Sequence, residues 1–260
     1  MHERALSEGL HEIEMFERTV DIDADKCDGG RLSILSLFRH LSEIMAENAE
    51  SYGAGKAYHD AKNRLWVLLE YDIDIERLPA KGERVRLGTL PYAFWKVYGY
   101  RVYRIRSLDG EHLVSGKGKF TLIDTRKRAI VRPDADMLAL FVDAHPEPLK
   151  LDFPDAPRHA GAALFKTCET IRKRHLDVND HVNNAEYVGL AEQAVKQHFK
   201  TPVNARKVGV WYRRETKLRE TLTIRGFKVE DGCLVEMHKG EALHARVWFA
   251  GFFMPHKHIP

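Results

Sequence analysis

The stretch Arg174-His175-Leu176-Asp177-Val178-Asn179-Asp180-His181-Val182-Asn183-Asn184 holds the densest set of chemically competent side chains in the sequence. Asp177, Asn179 and His181 alternate with Val178 and Asp180, so in an extended loop the three would point the same way. Histidine exchanges protons near neutral pH, and an amide beside it can orient the ring or hold a substrate carbonyl. A helix starting near Asn183 would aim its first amide N–H groups, and the positive end of its dipole, at this loop. Acyl transfer through an oxyanion is the chemistry that such a set serves. The same residues also suit a plainer role, with Asp180 and Asn183 as helix caps and His181 as a surface histidine. The Asn183-Asn184 pair favours function over capping. So does the corresponding first-half stretch, Asp28-Gly29-Gly30-Arg31-Leu32-Ser33, which lacks the acid, amide and imidazole together.

The elements around this loop occur twice. Each half opens with a strand-like stretch, Met15 to Ile22 and Ala163 to Ile171. A polar loop and a helix follow. Leu37, Leu41, Ile44 and Met45 recur at helical spacing in the first half, and Tyr187, Leu190, Ala194 and Val195 in the second. The first half then gives strand patterns at 65–71, 83–90, 98–105 and 113–123, and the second at 208–212, 221–227, 234–238 and 243–253. Asp109-Gly110-Glu111 and Lys239-Gly240-Glu241 each head the last long strand, where glycine supplies a tight hairpin turn. One strand, one helix and a run of antiparallel strands, repeated, imply an α+β duplication in which a single helix covers each sheet.

Five of the ten prolines (Pro133, Pro146, Pro148, Pro154 and Pro157) fall near the midpoint, which marks a connector with little regular structure. A short apolar piece, Met137 to Val142, is expected to pack within it. The 260 residues include 41 Lys+Arg, 38 Asp+Glu, 14 His and three Cys, an ordinary globular composition able to bury a core. Cys27, Cys168 and Cys233 are too scattered for a disulfide framework or a zinc site, and a reducing cytoplasm is the expected compartment. No signal peptide, membrane-spanning run or nucleic-acid-binding motif is apparent. His256 and His258 in the C-terminal tail are a weak metal signal.

Asp177 to Tyr187, together with Val210-Trp211-Tyr212-Arg213-Arg214-Glu215, resembles the acyl-acyl-carrier-protein thioesterases. Further matches are Leu65 to Leu68, Pro91 to Lys96, Asp109 to Glu111 and Leu122 to Asp124. The resemblance implies two tandem hotdog domains, each an antiparallel sheet wrapped on one long helix. They would span 1–131 and 163–260, with a connector at 132–162. It implies hydrolysis of acyl-carrier-protein thioesters to free fatty acids, with catalytic residues mapping onto Asp177, Asn179 and His181 in the loop and Glu215 on a strand. The family often places a cysteine directly after that glutamate; here Thr216 stands there, which argues for attack by water rather than by a thiol. On this reading Glu215 is the general base or water holder. His181 polarises the thioester or protonates the leaving thiolate, Asn179 positions the carbonyl, and Asp177 fixes loop and imidazole. An ion pair with Arg213 or Arg214 is the structural alternative for Glu215.

Arg172, Lys173 and Arg174, with Arg213, Arg214, Lys217 and Arg219, would form a cationic rim for an acidic carrier protein, or else solvated strand edges. The fatty acyl chain needs an apolar tunnel, for which Leu37, Leu41, Ile44, Met45, Trp66, Leu68 and Phe94 are available as lining or as plain core. No cofactor or metal is expected, because thioester hydrolysis needs only water, and either a monomer or a homodimer fits the duplication. The rival readings are an acyl-CoA thioesterase, a hydratase or dehydratase of the same fold, and a non-catalytic acyl-binding protein.

Overall fold

The computed structural model describes residues 14–177 and 181–252. In chain order the first half forms β1 (Phe16–Asp21), β2 (Cys27–Asp28), β3 (Arg31–Leu32), α1 (Ile34–Ser51), α2 (Lys56–Lys62), β4 (Arg64–Ile75), β5 (Arg84–Trp95), β6 (Tyr98–Ser107), β7 (His112–Asp124), β8 (Ala129–Ile130) and α3 (Ala135–Leu138). The second half forms β9 (Phe165–Thr170), α4 (Asn184–Phe199), β10 (Lys207–Tyr212), β11 (Thr221–Val229), β12 (Gly232–Lys239) and β13 (Ala242–Ala250).

Within the described residues one eleven-stranded sheet runs β1-β5-β6-β7-β4-β10-β13-β12-β11-β9, with β8 paired to β7. Read outward from the β4–β10 junction, the two halves have the same order, and every pairing is antiparallel. The duplication in the sequence is therefore a duplication of topology. The junction pairs Val210 with Tyr71 and Trp211 with Glu70, so the halves share one continuous sheet. The repeated turns behave as expected: Gly110 and Gly240 have φ of 96° and 58°, the left-handed region glycine enters without Cβ strain.

α1 buries Ile34, Leu37, Phe38, Leu41 and Ile44 with no exposed surface, each contributing about 2 kcal/mol relative to exposure. Its N-terminus is capped twice. Ser33 Oγ accepts the Ser36 N–H, and the two carboxylate oxygens of Glu192 on α4 accept the Ile34 and Leu35 N–H groups, each at 2.9 Å. The helices approach closely at Gly189, where a Cβ would lie 2.8 Å from Leu35 Cδ1. A single cluster of buried side chains runs beneath both halves.

Two elements depart from the sequence reading. β5 continues past Leu90 through Pro91 to Trp95. Its neighbour β1 ends opposite Thr89, and the β5–β6 register shifts between Pro91 and Ala93, an irregularity of the kind that accommodates proline within a strand. The connector covers this edge instead, as His145 N–H and Leu149 N–H bond the carbonyls of Tyr92 and Phe94. The short α2 was not anticipated; none of its residues is buried, so it carries no apolar face to read. Within the connector Met137 and Phe141 are buried as expected, whereas Val142 is exposed.

Candidate active site

The loop ahead of α4 closes on itself. Leu176 and Val182 form an antiparallel bridge, Asp177 N–H donates to the His181 carbonyl at 2.8 Å, and Asp177 Oδ1 accepts the His181 N–H at 3.2 Å. Asp177 thus holds the backbone at His181 through both its N–H and its carboxylate. Asn179 lies outside the described residues, as do Val178, Asp180, His256 and His258. Asn183 is the N-cap of α4, its side chain accepting the Ala185 N–H at 2.9 Å.

His181 Nε2 stands 3.7 Å from Glu215 Oε2, and both side chains are partly exposed, 37% and 52%. The sequence placed Glu215 on a strand; it lies beyond the end of β10 at Tyr212. The strand stops because the Arg213 and Arg214 N–H groups both bond one carbonyl, that of His244 on β13, which breaks the one-to-one ladder. Among the described residues Glu215 is paired with His181, not with Arg213 or Arg214.

Thr216 is fully buried and joins three elements. Its hydroxyl lies 2.9 Å from Tyr187 Oη on α4 and 2.7 Å from His244 Nδ1 on β13. Its carbonyl accepts the Val182 N–H at 3.4 Å. The residues following His181 and Glu215 are therefore hydrogen-bonded to each other. Burial holds the His244 imidazole below the ordinary histidine range, so a neutral ring sits behind Glu215, and burial pushes the Tyr187 phenol up. The three cysteines are free: Cys233 is buried and its thiol is pushed up to about 12 by burial, Cys27 is half-buried and Cys168 is exposed on β9.

Glu215 also borders an open polar cleft of about 510 Å³ with Arg128, Arg214, Lys217, Glu220 and His244. Arg128 comes from the first half. Arg64 pairs with Asp124, whose Oδ1 accepts the Arg126 and Lys127 N–H groups at 3.0 and 2.8 Å, and this turn presents Arg128. The basic run Arg126-Lys127-Arg128 is visible in the sequence, but its placement depends on β7 lying beside β4. Arg213 instead lines a different cleft with Glu70 and Trp211.

An apolar pocket of about 320 Å³ opens in the first half, lined by Met45, Trp66, Pro91, Phe94, Phe120 and Phe141 among others. Met45, Trp66 and Phe94 were among the candidate lining residues. Leu37, Leu41, Ile44 and Leu68 belong to the shared core instead. Trp66 on β4 pairs with Leu122 on β7, and that strand runs directly into the turn bearing Arg128. Pocket and polar cleft thus meet the same end of β4.

Two family models match the chain in order. The acyl-ACP thioesterase N-terminal domain matches residues 14–141 and the acyl-ACP thioesterase C-terminal domain residues 162–242. The chloroplastic dodecanoyl-[acyl-carrier-protein] hydrolase of Umbellularia californica is 28% identical, over 92% of this chain and 68% of its own length. The chloroplastic acyl-[acyl-carrier-protein] hydrolase FATB1 of Cuphea viscosissima is 26% identical over 79% of this chain, which spans about half, 51%, of that relative. The structure of an acyl-ACP thioesterase from Bacteroides thetaiotaomicron aligns with a TM-score of 0.79 at 19% identity, covering 91% of this chain and 97% of that one. The fold is shared: α+β, with hotdog architecture in both halves.

Proposed function

The chain belongs to the acyl-ACP thioesterase family, and from that premise we propose that it hydrolyses acyl-acyl-carrier-protein, releasing the fatty acid and the free carrier thiol. One observation supports assigning the chemistry to particular residues: His181 and Glu215 face each other across 3.7 Å at a solvent-accessible cleft, a span that one water can bridge with only slight rearrangement.

Glu215 takes a proton from that water as its oxygen bonds the thioester carbon, giving a tetrahedral oxyanion. The C–S bond then breaks, His181 delivers its proton to the departing thiolate, and the proton held by Glu215 passes back to His181 to restore the pair. Asn179 holds the carbonyl oxygen, the role its place in the family motif implies. Asp177 keeps His181 in register through the backbone staple. Thr216 offers no nucleophile here, because its hydroxyl is buried and engaged by Tyr187 and His244.

The apolar pocket takes the acyl chain, and the cleft bearing Arg128, Arg214 and Lys217 faces the acidic carrier. Release of the fatty acid ends chain elongation. The test offers purified protein a chain-length panel, each acyl group both as carrier-protein and as CoA thioester. Higher kcat/KM for carrier thioesters at the preferred length is the expected result. Preference for CoA at every length would transfer the activity to acyl-CoA substrates, and no thiol release from either would leave an acyl-binding protein.

A further inference from the structure

The apolar pocket contains a guanidinium in its wall. Arg101 on β6 is 7% exposed, yet among the described residues no carboxylate pairs with it. Its Nη1 donates to Asn48 Oδ1 at 2.6 Å and to Thr89 Oγ1 at 3.2 Å. Nε and Nη2 make no further hydrogen bond to the described residues and are not among the fully enclosed polar atoms, so this edge is reachable. Arg104, equally buried on the same strand, shows the usual arrangement: it is paired with Glu17 at 3.0 Å. A buried charge without a counter-ion is among the most unfavourable features a fold can carry, and most are paired.

The acids nearest the pocket do not answer that charge. Glu50 and Asp60 both line it, but Glu50 Oε1 accepts the Lys56 N–H and Asp60 Oδ2 pairs with Lys56 Nζ at 2.7 Å. Besides Lys56, the other titratable groups in this wall are His59, held below its ordinary range by burial, and Tyr100, whose phenol burial pushes up to about 12; neither adds an anion. What Arg101 leaves open is its Nε/Nη2 edge, two parallel N–H donors whose spacing matches the two oxygens of a carboxylate. The surrounding wall of Trp66, Phe94, Phe120 and Phe141 suits hydrocarbon.

We propose that the Nε/Nη2 edge of Arg101 is a carboxylate subsite inside this pocket, taking an aliphatic chain that ends in a carboxylate. The proposal rests on reading the pocket as the acyl-chain site. Such a chain has two sources. It is either an acyl thioester with a second, distal carboxylate, or a free fatty acid, the product of hydrolysis, returning to the pocket.

The test compares the binding of dodecanoate and dodecan-1-ol to the whole protein by titration calorimetry, at a pH where the acid is ionised. Dodecanoate is expected to bind at least about tenfold more tightly, and R101Q to erase that difference while keeping the affinity for the alcohol. R128Q, at the other cationic cleft, is expected to preserve it. Should R101Q fail to fold, the wild-type comparison with R128Q still decides, and equal affinity for acid and alcohol would overturn the subsite. Two kinetic arms separate the sources. A lower KM for the ω-carboxydodecanoyl than for the dodecanoyl carrier thioester identifies the substrate. Competitive inhibition by dodecanoate that R101Q relieves identifies the product. Either result supports the subsite and says which chain fills it, and the absence of both in a protein that turns over would overturn it. Because the titrations need no turnover, a protein that hydrolyses no thioester would defeat the proposed function without touching this subsite.

Discussion

His181 and Glu215 face each other at 3.7 Å, and the residues that follow them, Val182 and Thr216, share a backbone hydrogen bond. The loop before α4 and the segment after β10 are thereby held as one unit. Thr216 anchors that unit from beneath, with its hydroxyl between Tyr187 and His244.

Replacing Thr216 by Val keeps the volume but strips the hydroxyl, leaving Tyr187 Oη and His244 Nδ1 buried without their partner. The expected cost is about 1–3 kcal/mol in urea unfolding, with a fall in kcat larger than any change in KM as Glu215 loses its support. Thr216→Ser should restore most of both. Wild-type kcat in the valine variant would remove Thr216 from the positioning of Glu215.

Stability should fall on mild acidification. Burial holds His40 and His244 below the ordinary histidine value of 6.5 in the folded protein. Below about pH 6.5 the unfolded chain therefore binds protons that the folded chain refuses, and the free energy of unfolding decreases as pH drops. Urea midpoints measured from about pH 7 to about pH 5.5 should decline, and His244→Asn should flatten the decline. An identical slope in that variant would show that His244 contributes nothing to it.

Thiol chemistry should be dispensable. Cys233 is buried with its thiol pushed up to about 12, so little thiolate forms near neutrality, while Cys168 is exposed on a strand at the far edge of the sheet. Alkylation with iodoacetamide is expected to modify Cys168 first and leave hydrolysis unchanged. Loss of activity without unfolding would revive a thiol nucleophile.

Much of the fold was legible because strand alternation and helix periodicity are local signals. The repeated order of one strand, one helix and four strands reappears in the mirrored halves of the sheet, and the turn glycines stand at positive φ where the sequence put them. What escaped was whatever depends on a neighbour. The strand read at 83–90 continues through Pro91 to Trp95, because β1 stops short of Pro91 and the β5–β6 register shifts there. Glu215 reads as a strand residue until one carbonyl of His244 takes two N–H groups. His244 sits in the alternation of β13 with no mark of its role, and Arg128 meets Glu215 only because β7 runs beside β4. The family resemblance pointed to His181 and Glu215 as site residues, whereas their approach to 3.7 Å and the Thr216 anchor beneath them had no local signature.

The central claim is that His181 and Glu215 act together on water. Its most direct measurement is kcat on a carrier thioester for His181→Ala, Glu215→Gln and the double variant, each with Tm recorded. Each single change should lower kcat by about 10²–10⁴ with Tm held, and the double should cost little more than the worse single because the pair works as a unit. A kcat within about twofold of wild type in either single variant, with the fold intact, would contradict the account.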